Sequence, residues 1–260
     1  MTANPKNNLG PIALFCDFGL PYAGQMKGAI LRESPDAQII DLMVDAPNFD
    51  IHASSILLES MAGYFPVGTI FVCVVDPGVG TDARVAGVVM AGGRWFVGPL
   101  NGIFEHTIRR WPQGVAAYRI KHSTQNISAS FHGRDVFAPM AARLHLSGGI
   151  TQDMTEIPQE DIDSIRHTEF ADDLMRVLYI DNFGNAITGI HVSEDHANNP
   201  PIITLGGRDI PWVRTFGDVS PGSPLAYANS MNLIELAVNK GRADDVLGLS
   251  VGSQVSVRCL

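Results

Sequence analysis

The stretch TIFVCVV, residues 69–75, runs straight into Asp76-Pro77-Gly78-Val79-Gly80-Thr81. A continuous β-branched and apolar run of this length reads as a strand buried on both faces, the kind found at the centre of a parallel sheet. Outward from it, short apolar runs at 12–15 and 38–42 alternate with helical patterns at 24–32 and 49–64. Within the second of these, Ile56, Leu57 and Met61 recur at helical spacing. The alternation predicts βαβ units and an α/β fold class, with an N-terminal layered α/β domain built on a mostly parallel sheet. From about residue 174 the texture changes to short strand candidates, MRVLYI, NAITGI, PIITL, IPWVRTF, LIELAV and QVSVRCL, separated by Asn, Gly, Pro and Asp. A second, β-rich domain is expected there, giving domains 1–165 and 166–260, with the acidic stretch 151–173 around Pro158 as connector.

Composition narrows the function classes. The chain has 260 residues, 45% hydrophobic and 17% charged, enough to bury a sizeable core. Eighteen Lys and Arg against 27 Asp and Glu give a formal charge of −9, without a basic run to track a phosphate backbone, so nucleic acid is not expected as a partner. No apolar run approaches the roughly 20 residues of a membrane helix, and MTANPKNNLG is polar, so neither a membrane nor a signal peptide is expected and the predicted location is the cytoplasm. Cys16, Cys73 and Cys259 have no CxxC spacing, which points away from a disulfide scaffold and a zinc site. Of the eight histidines, His106, His122, His145, His167, His191 and His196 lack partners at metal-ligand spacing and are read as surface residues. No metal is expected.

Ligands of open parallel sheets collect beyond the carboxyl ends of strands. Asp17 follows the run PIALFC and can accept from a vicinal diol, or act as a helix cap. The glycines after Asp76 allow backbone N–H groups close approach to a ligand, and suit a plain tight turn equally. That loop lacks the lysine of a P-loop, which excludes a nucleotide triphosphatase. His132 lies in Ser130-Phe131-His132-Gly133-Arg134-Asp135, ahead of a helical pattern at 136–144, and reads either as a ligand-facing or as a structural histidine. In the second half, Asp181, Asn182 and Asn185 offer a carboxylate and amides between two strand runs, and the segment 228–232 around Ser230 is similar in kind; both also look like turns. No HExxH, CxxC or GxSxG occurs to anchor a metalloprotease or a serine hydrolase.

In this order the clusters resemble the S-adenosyl-L-methionine (SAM) hydroxide adenosyltransferase family, adenosine-forming SAM hydrolases related to the fluorinase and chlorinase. The resemblance is carried by CDFGLPYAGQMKGAI, FVCVVDPGVGT, VGPLNGIFE, SASFHGRDVFAPMAA, YIDNFGNAITGI and NSMNLIELAVNKGRADDVLGLSVGSQV. It implies an α/β domain followed by a β-barrel-like domain, a homotrimer with active sites between subunits, and cleavage of SAM to adenosine and L-methionine without cofactor or metal. It further implies that Asp17 takes the ribose diol, that Phe49 stacks on the sugar-adenine part, and that Asp181, Asn185 and Ser230 contact the adenine edge or the methionine. The family's hydrolytic Asp, Arg and His correspond to Asp76, Arg84 and His132. Arg84 lies one position beyond the family's spacing, where Ala83 stands, and Leu100 replaces a common aspartate. These two departures keep open a non-catalytic SAM- or adenosine-binding module. A SAM-dependent halogenase is a third reading; there a serine occupies the position of Gly133, and its absence makes water the expected nucleophile.

Overall fold

A computed structural model describes residues 10–81, 85–121, 127–193, 196 and 199–258. Two compact units divide the chain at Phe170/Ala171. The first unit centres on a seven-stranded sheet ordered β2-β1-β3-β5-β4-β6-β7. Its strands are β1 (Ile12–Cys16), β2 (Ile39–Met43), β3 (Ile70–Val74), β4 (Ala86–Ala91), β5 (Arg94–Pro99), β6 (Ala116–Ile120) and β7 (Met154–Ile157). β1 pairs in parallel with β2 and β3, and β3 with β5. β4 runs against both β5 and β6, and β7 runs against β6, so five of the seven strands share one direction. The sequence pattern did not signal the antiparallel β4–β5 hairpin.

The central strands are apolar throughout because both faces are covered. Ile12, Leu14, Ile70 and Val72 pack with Met26 and Ile30 of α1 (Leu20–Glu33) and Met140 and Leu144 of α4 (Ala138–Ser147). Alternate residues point the other way, where the Phe71 ring stacks on Phe96 at 5.0 Å, edge-on to Phe65 at 5.3 Å. Helix α2 (Ile51–Ala62) lies inside the 49–64 pattern and starts two residues later, with the Asp50 carboxylate accepting the Ala53 N–H at 3.0 Å as N-cap. Helix α3 (Glu105–Arg110) packs beside it. The acidic stretch 151–173 contains β7 and a 3₁₀ turn, Gln159–Ile165.

The second unit holds two antiparallel sheets, one of β8 (Leu174–Ile180), β9 (Ala186–His191), β13 (Leu233–Val238) and β12 (Pro224–Ala228), the other of β10 (Ile202–Leu205), β11 (Arg208–Ile210) and β14 (Ser256–Arg258). The barrel-like expectation thus takes the form of two sheets linked edge to edge by the single bridges Arg176–Gln254 and Trp212–Ala226, with no continuous ladder closing them among the described residues. IPWVRTF is a strand only as far as Ile210, because Pro211 has no N–H to continue the ladder. A short helix α5 (Ala243–Leu247) follows β13. No helix among the described residues is long and apolar enough to cross a membrane.

Candidate functional site

β1 and β3 lie side by side and parallel, and the chain passes from β1 to β2 on one side and then crosses back to β3 on the other. This is a topological switch point, where ligands of α/β sheets bind. A cleft of about 180 Å³ opens there, lined by Asp17, Phe18, Phe49, Val74, Asp76, Val79, Ser130, Phe131, His132 and Gly133. Asp17 leaves the end of β1 and Asp76 follows the end of β3. Phe49 comes from the loop before α2, and His132 from the turn before the π-helical stretch Gly133–Phe137. Four of the sequence-predicted site residues, far apart along the chain, therefore face one cavity.

Local chemistry holds each loop in place. Asp17 accepts the Phe49 N–H at 3.0 Å, and burial pushes its carboxyl above the usual range despite that bond. Phe49 itself is 74% exposed and sits at φ 60, a left-handed conformation that costs a non-glycine residue about 1 kcal/mol or more. Gly80, at φ 79, passes so close to the neighbouring loop that an added Cβ would lie 2.6 Å from the Ala129 carbonyl oxygen. That approach brings the Asp76 loop against the segment leading to His132. On the far side of this loop, Asp135 receives the Ser128 N–H at 2.8 Å and both Nε and Nη2 of Arg134, and the guanidinium holds the Asp135 carboxyl below the usual range. Phe18, Tyr22 and Phe131 form an edge-to-face trio at 5.5 to 5.9 Å that walls the apolar side. Sequence reasoning missed Asn101, whose Nδ2 donates to the Val75 carbonyl at 3.0 Å, one residue before Asp76.

The second unit carries a larger cleft, about 750 Å³, lined by Asp181, Phe183, Asn185, Phe216, Tyr227, Asn229, Ser230, Glu235, Val238, Lys240 and Gly241. The three site residues predicted for this half meet here. Asp181 accepts the N–H groups of Phe183 (2.8 Å) and Asn185 (2.9 Å) and the Asn185 amide (3.1 Å), so it also organises its own turn. Sequence reasoning missed Glu235 and Tyr227. Glu235 lies in the middle of β13, only 5% exposed, and accepts from the Tyr227 hydroxyl and from Asn229 Nδ2. Burial raises the pKa of both the Glu235 carboxyl and the Tyr227 phenol. The available signal was a single charge inside the otherwise apolar run LIELAV.

Arg84 and Ala83 lie outside the described residues, as does His122. Leu100 does not line the first cleft; its side chain covers Gly87, where an added Cβ would be 2.5 Å from Leu100 Cδ1. Two histidines read as surface residues are buried instead. His106 pairs through Nδ1 with the Ser55 hydroxyl at 2.9 Å, and His196 Nδ1 accepts the Ser193 N–H at 3.2 Å. Each finds a local partner that offsets the cost of burial. Among the described residues no three His, Cys, Asp or Glu side chains converge as a metal set.

Comparison with known proteins adds to this geometry. A (R)-S-adenosyl-L-methionine hydrolase of Thermus thermophilus is 37% identical over 94% of this chain and 98% of its own length. One from Salinispora arenicola is 33% identical over 95% and 97%. A fluorinase of Nocardia brasiliensis is more distant, at 24% over 95% and 96%. A Thermotoga maritima protein of known structure superposes with a TM-score of 0.76 at 29% identity, over 96% of this chain and all of the other. The family model for the SAM hydroxide adenosyltransferase N-terminal domain matches residues 12–154, and that for the C-terminal domain matches 175–256. With both domains matched in order over most of its length, the chain belongs to the SAM hydroxide adenosyltransferase family.

Proposed function

We propose that this enzyme hydrolyses S-adenosyl-L-methionine at C5′, releasing adenosine and L-methionine. The observation that carries the reading to these residues is the cleft beyond β1 and β3, where Asp17, Phe49, Asp76 and His132 meet. The sulfonium is already a good leaving group, so the departing thioether needs no protonation. The demand falls on the nucleophile. Water must be held in line behind C5′, about 3 to 3.5 Å away, and lose a proton as it attacks. Its oxygen forms the C5′–O bond while the C5′–S pair passes to methionine sulfur, and the proton goes to Asp76. His132 fixes the water from a second side. Arg84, too basic to accept a proton, steadies the charge on Asp76 and the incipient hydroxide. Asp17 takes the ribose diol and Phe49 covers the sugar-adenine part, while Asp181, Asn185 and Ser230 hold the polar edges of the substrate.

At about 180 Å³ the first cleft is smaller than the 300 Å³ or more of a typical small-molecule pocket. The family resemblance implies a homotrimer with active sites between subunits, and in line with it we propose that the larger cleft of a neighbouring subunit completes the site. The reaction as drawn uses no cofactor or metal. The free, buried thiols of Cys16 and Cys73 support a cytoplasmic location. Incubation with SAM followed by chromatography tests the reading: adenosine and methionine appear in equal amounts. Positioned proton transfer contributes roughly 10² to 10⁴ in rate, so Asp76→Ala and His132→Ala lower turnover by at least a hundredfold and SAM affinity much less. A loss below about threefold in both variants refutes the assignment, and intact SAM after long incubation with the wild type supports the binding-module reading instead.

A further inference from the structure

We infer that Glu235 is a specificity-determining residue, its fixed negative charge selecting the sulfonium substrate over the uncharged thioether that lacks one methyl group. The inference rests on the reading that the second cleft receives part of SAM. Glu235 is the only charged residue of β13, whose side chains are all buried, and a carboxylate there is costly unless it is hydrogen-bonded. It is held. The Tyr227 hydroxyl donates to Oε1 and Asn229 Nδ2 to Oε2 at 2.9 Å, one donor on each oxygen.

Asn229 cannot turn its amide over, because its Oδ1 already accepts the N–H groups of Met231 (2.9 Å) and Leu233 (3.0 Å). The carboxylate therefore has one orientation, on the wall of the 750 Å³ cleft. Two other charged residues line that cleft, Asp181 and Lys240. Asp181 accepts three hydrogen bonds within its own turn, whereas Glu235 accepts one on each oxygen from side chains of the cleft wall and is the carboxylate held there without a turn of its own to organise. SAM carries a net positive charge and S-adenosylhomocysteine none, while their shapes differ by a methyl group. At an effective dielectric constant near 20, a unit charge would be worth roughly thirtyfold in affinity if the sulfonium came within about 8 Å of it.

Glu235→Gln removes the charge and keeps the shape. The Gln oxygen meets Asn229 Nδ2, and the Gln amide donates to Tyr227, whose hydroxyl turns from donor to acceptor. Calorimetric affinities for SAM, S-adenosylhomocysteine and adenosine are compared with Glu and with Gln at 235, both in a His132→Ala background that stops turnover. The expected result is a tenfold or greater fall in the preference for SAM over S-adenosylhomocysteine, with adenosine affinity within about twofold. An unchanged preference overturns the inference, and so does an equal weakening of all three ligands, which marks a structural role only. Should the Gln protein fail to fold by circular dichroism, Glu235→Asp decides: it keeps the charge and must keep the preference within about threefold, and a collapse overturns the inference. Turnover of the wild type is assayed alongside. Its absence defeats the hydrolysis reading, while the binding preference still reports on Glu235.

Discussion

Glu105, at the start of α3, is a carboxylate with a fully buried side chain, and replacing it by Gln tests how the first unit resists acid. Its Oε1 accepts Arg109 Nε (2.8 Å) and Arg166 Nη2 (2.7 Å), and its Oε2 accepts Arg166 Nε (2.8 Å) and the His167 N–H (2.9 Å). Burial alone raises such a carboxyl, but here Arg166, the His167 N–H and Arg109 outweigh it and lower the pKa from 4.5 to about 2. At ~1.4 kcal/mol per pKa unit, that drop is worth about 3 kcal/mol of stability at pH 7. Because the folded pKa is the lower one, the contribution is complete above pH 4.5 and fades as pH falls toward 2, so about 1.5 kcal/mol is left at pH 3. Glu105→Gln turns an amide toward these donors and loses the contribution outright. Urea unfolding followed by tryptophan fluorescence in a Trp212→Phe background reads the first unit through Trp95 and Trp111. The variant should be about 3 kcal/mol less stable at pH 7 and about half that at pH 3. A deficit below about 1 kcal/mol at pH 7, or one equal at both pH values, refutes the reasoning.

Phe49→Gly removes an exposed ring from a left-handed residue, so stability should hold or rise by up to about 1 kcal/mol while KM for SAM rises about three- to tenfold. Phe49→Ala, which keeps the backbone penalty, should melt below the Gly variant; the reverse order would contradict the strain argument. Gly133→Ser places a Cβ 3.1 Å from Phe131 Cε2 and 3.2 Å from Met26 Sδ. It should cost about 1 to 2 kcal/mol in thermal unfolding, and SAM incubated with chloride or fluoride should yield no 5′-halogenated nucleoside. Detection of that product would show that the nucleophile pocket tolerates the side chain after all.

How much was legible varies by element. TIFVCVV announced β3 because a strand covered on both faces has no polar positions, and 49–64 announced α2 because its apolar residues recur with the helical period. The antiparallel β4–β5 hairpin was not legible, since Gly87 and Leu100 obey no local period and acquire meaning only when one lies over the other. The turn at Asp181 looked like a hairpin loop and is one, yet the same residue lines the larger cleft. His106 and His196 escaped because a partner hydroxyl or a chain reversal is invisible in spacing.

By itself the sequence determined the α/β layering, the family and the ordered set of polar clusters, since each is written in residues close together along the chain. Only the tertiary structure decided that Asp17, Phe49, Asp76 and His132 share one cavity, and that Tyr227 and Asn229 lock Glu235 onto the wall of another. Periodicity records which face of an element avoids water; which distant elements meet across that face depends on packing and hydrogen-bond geometry summed over the whole unit.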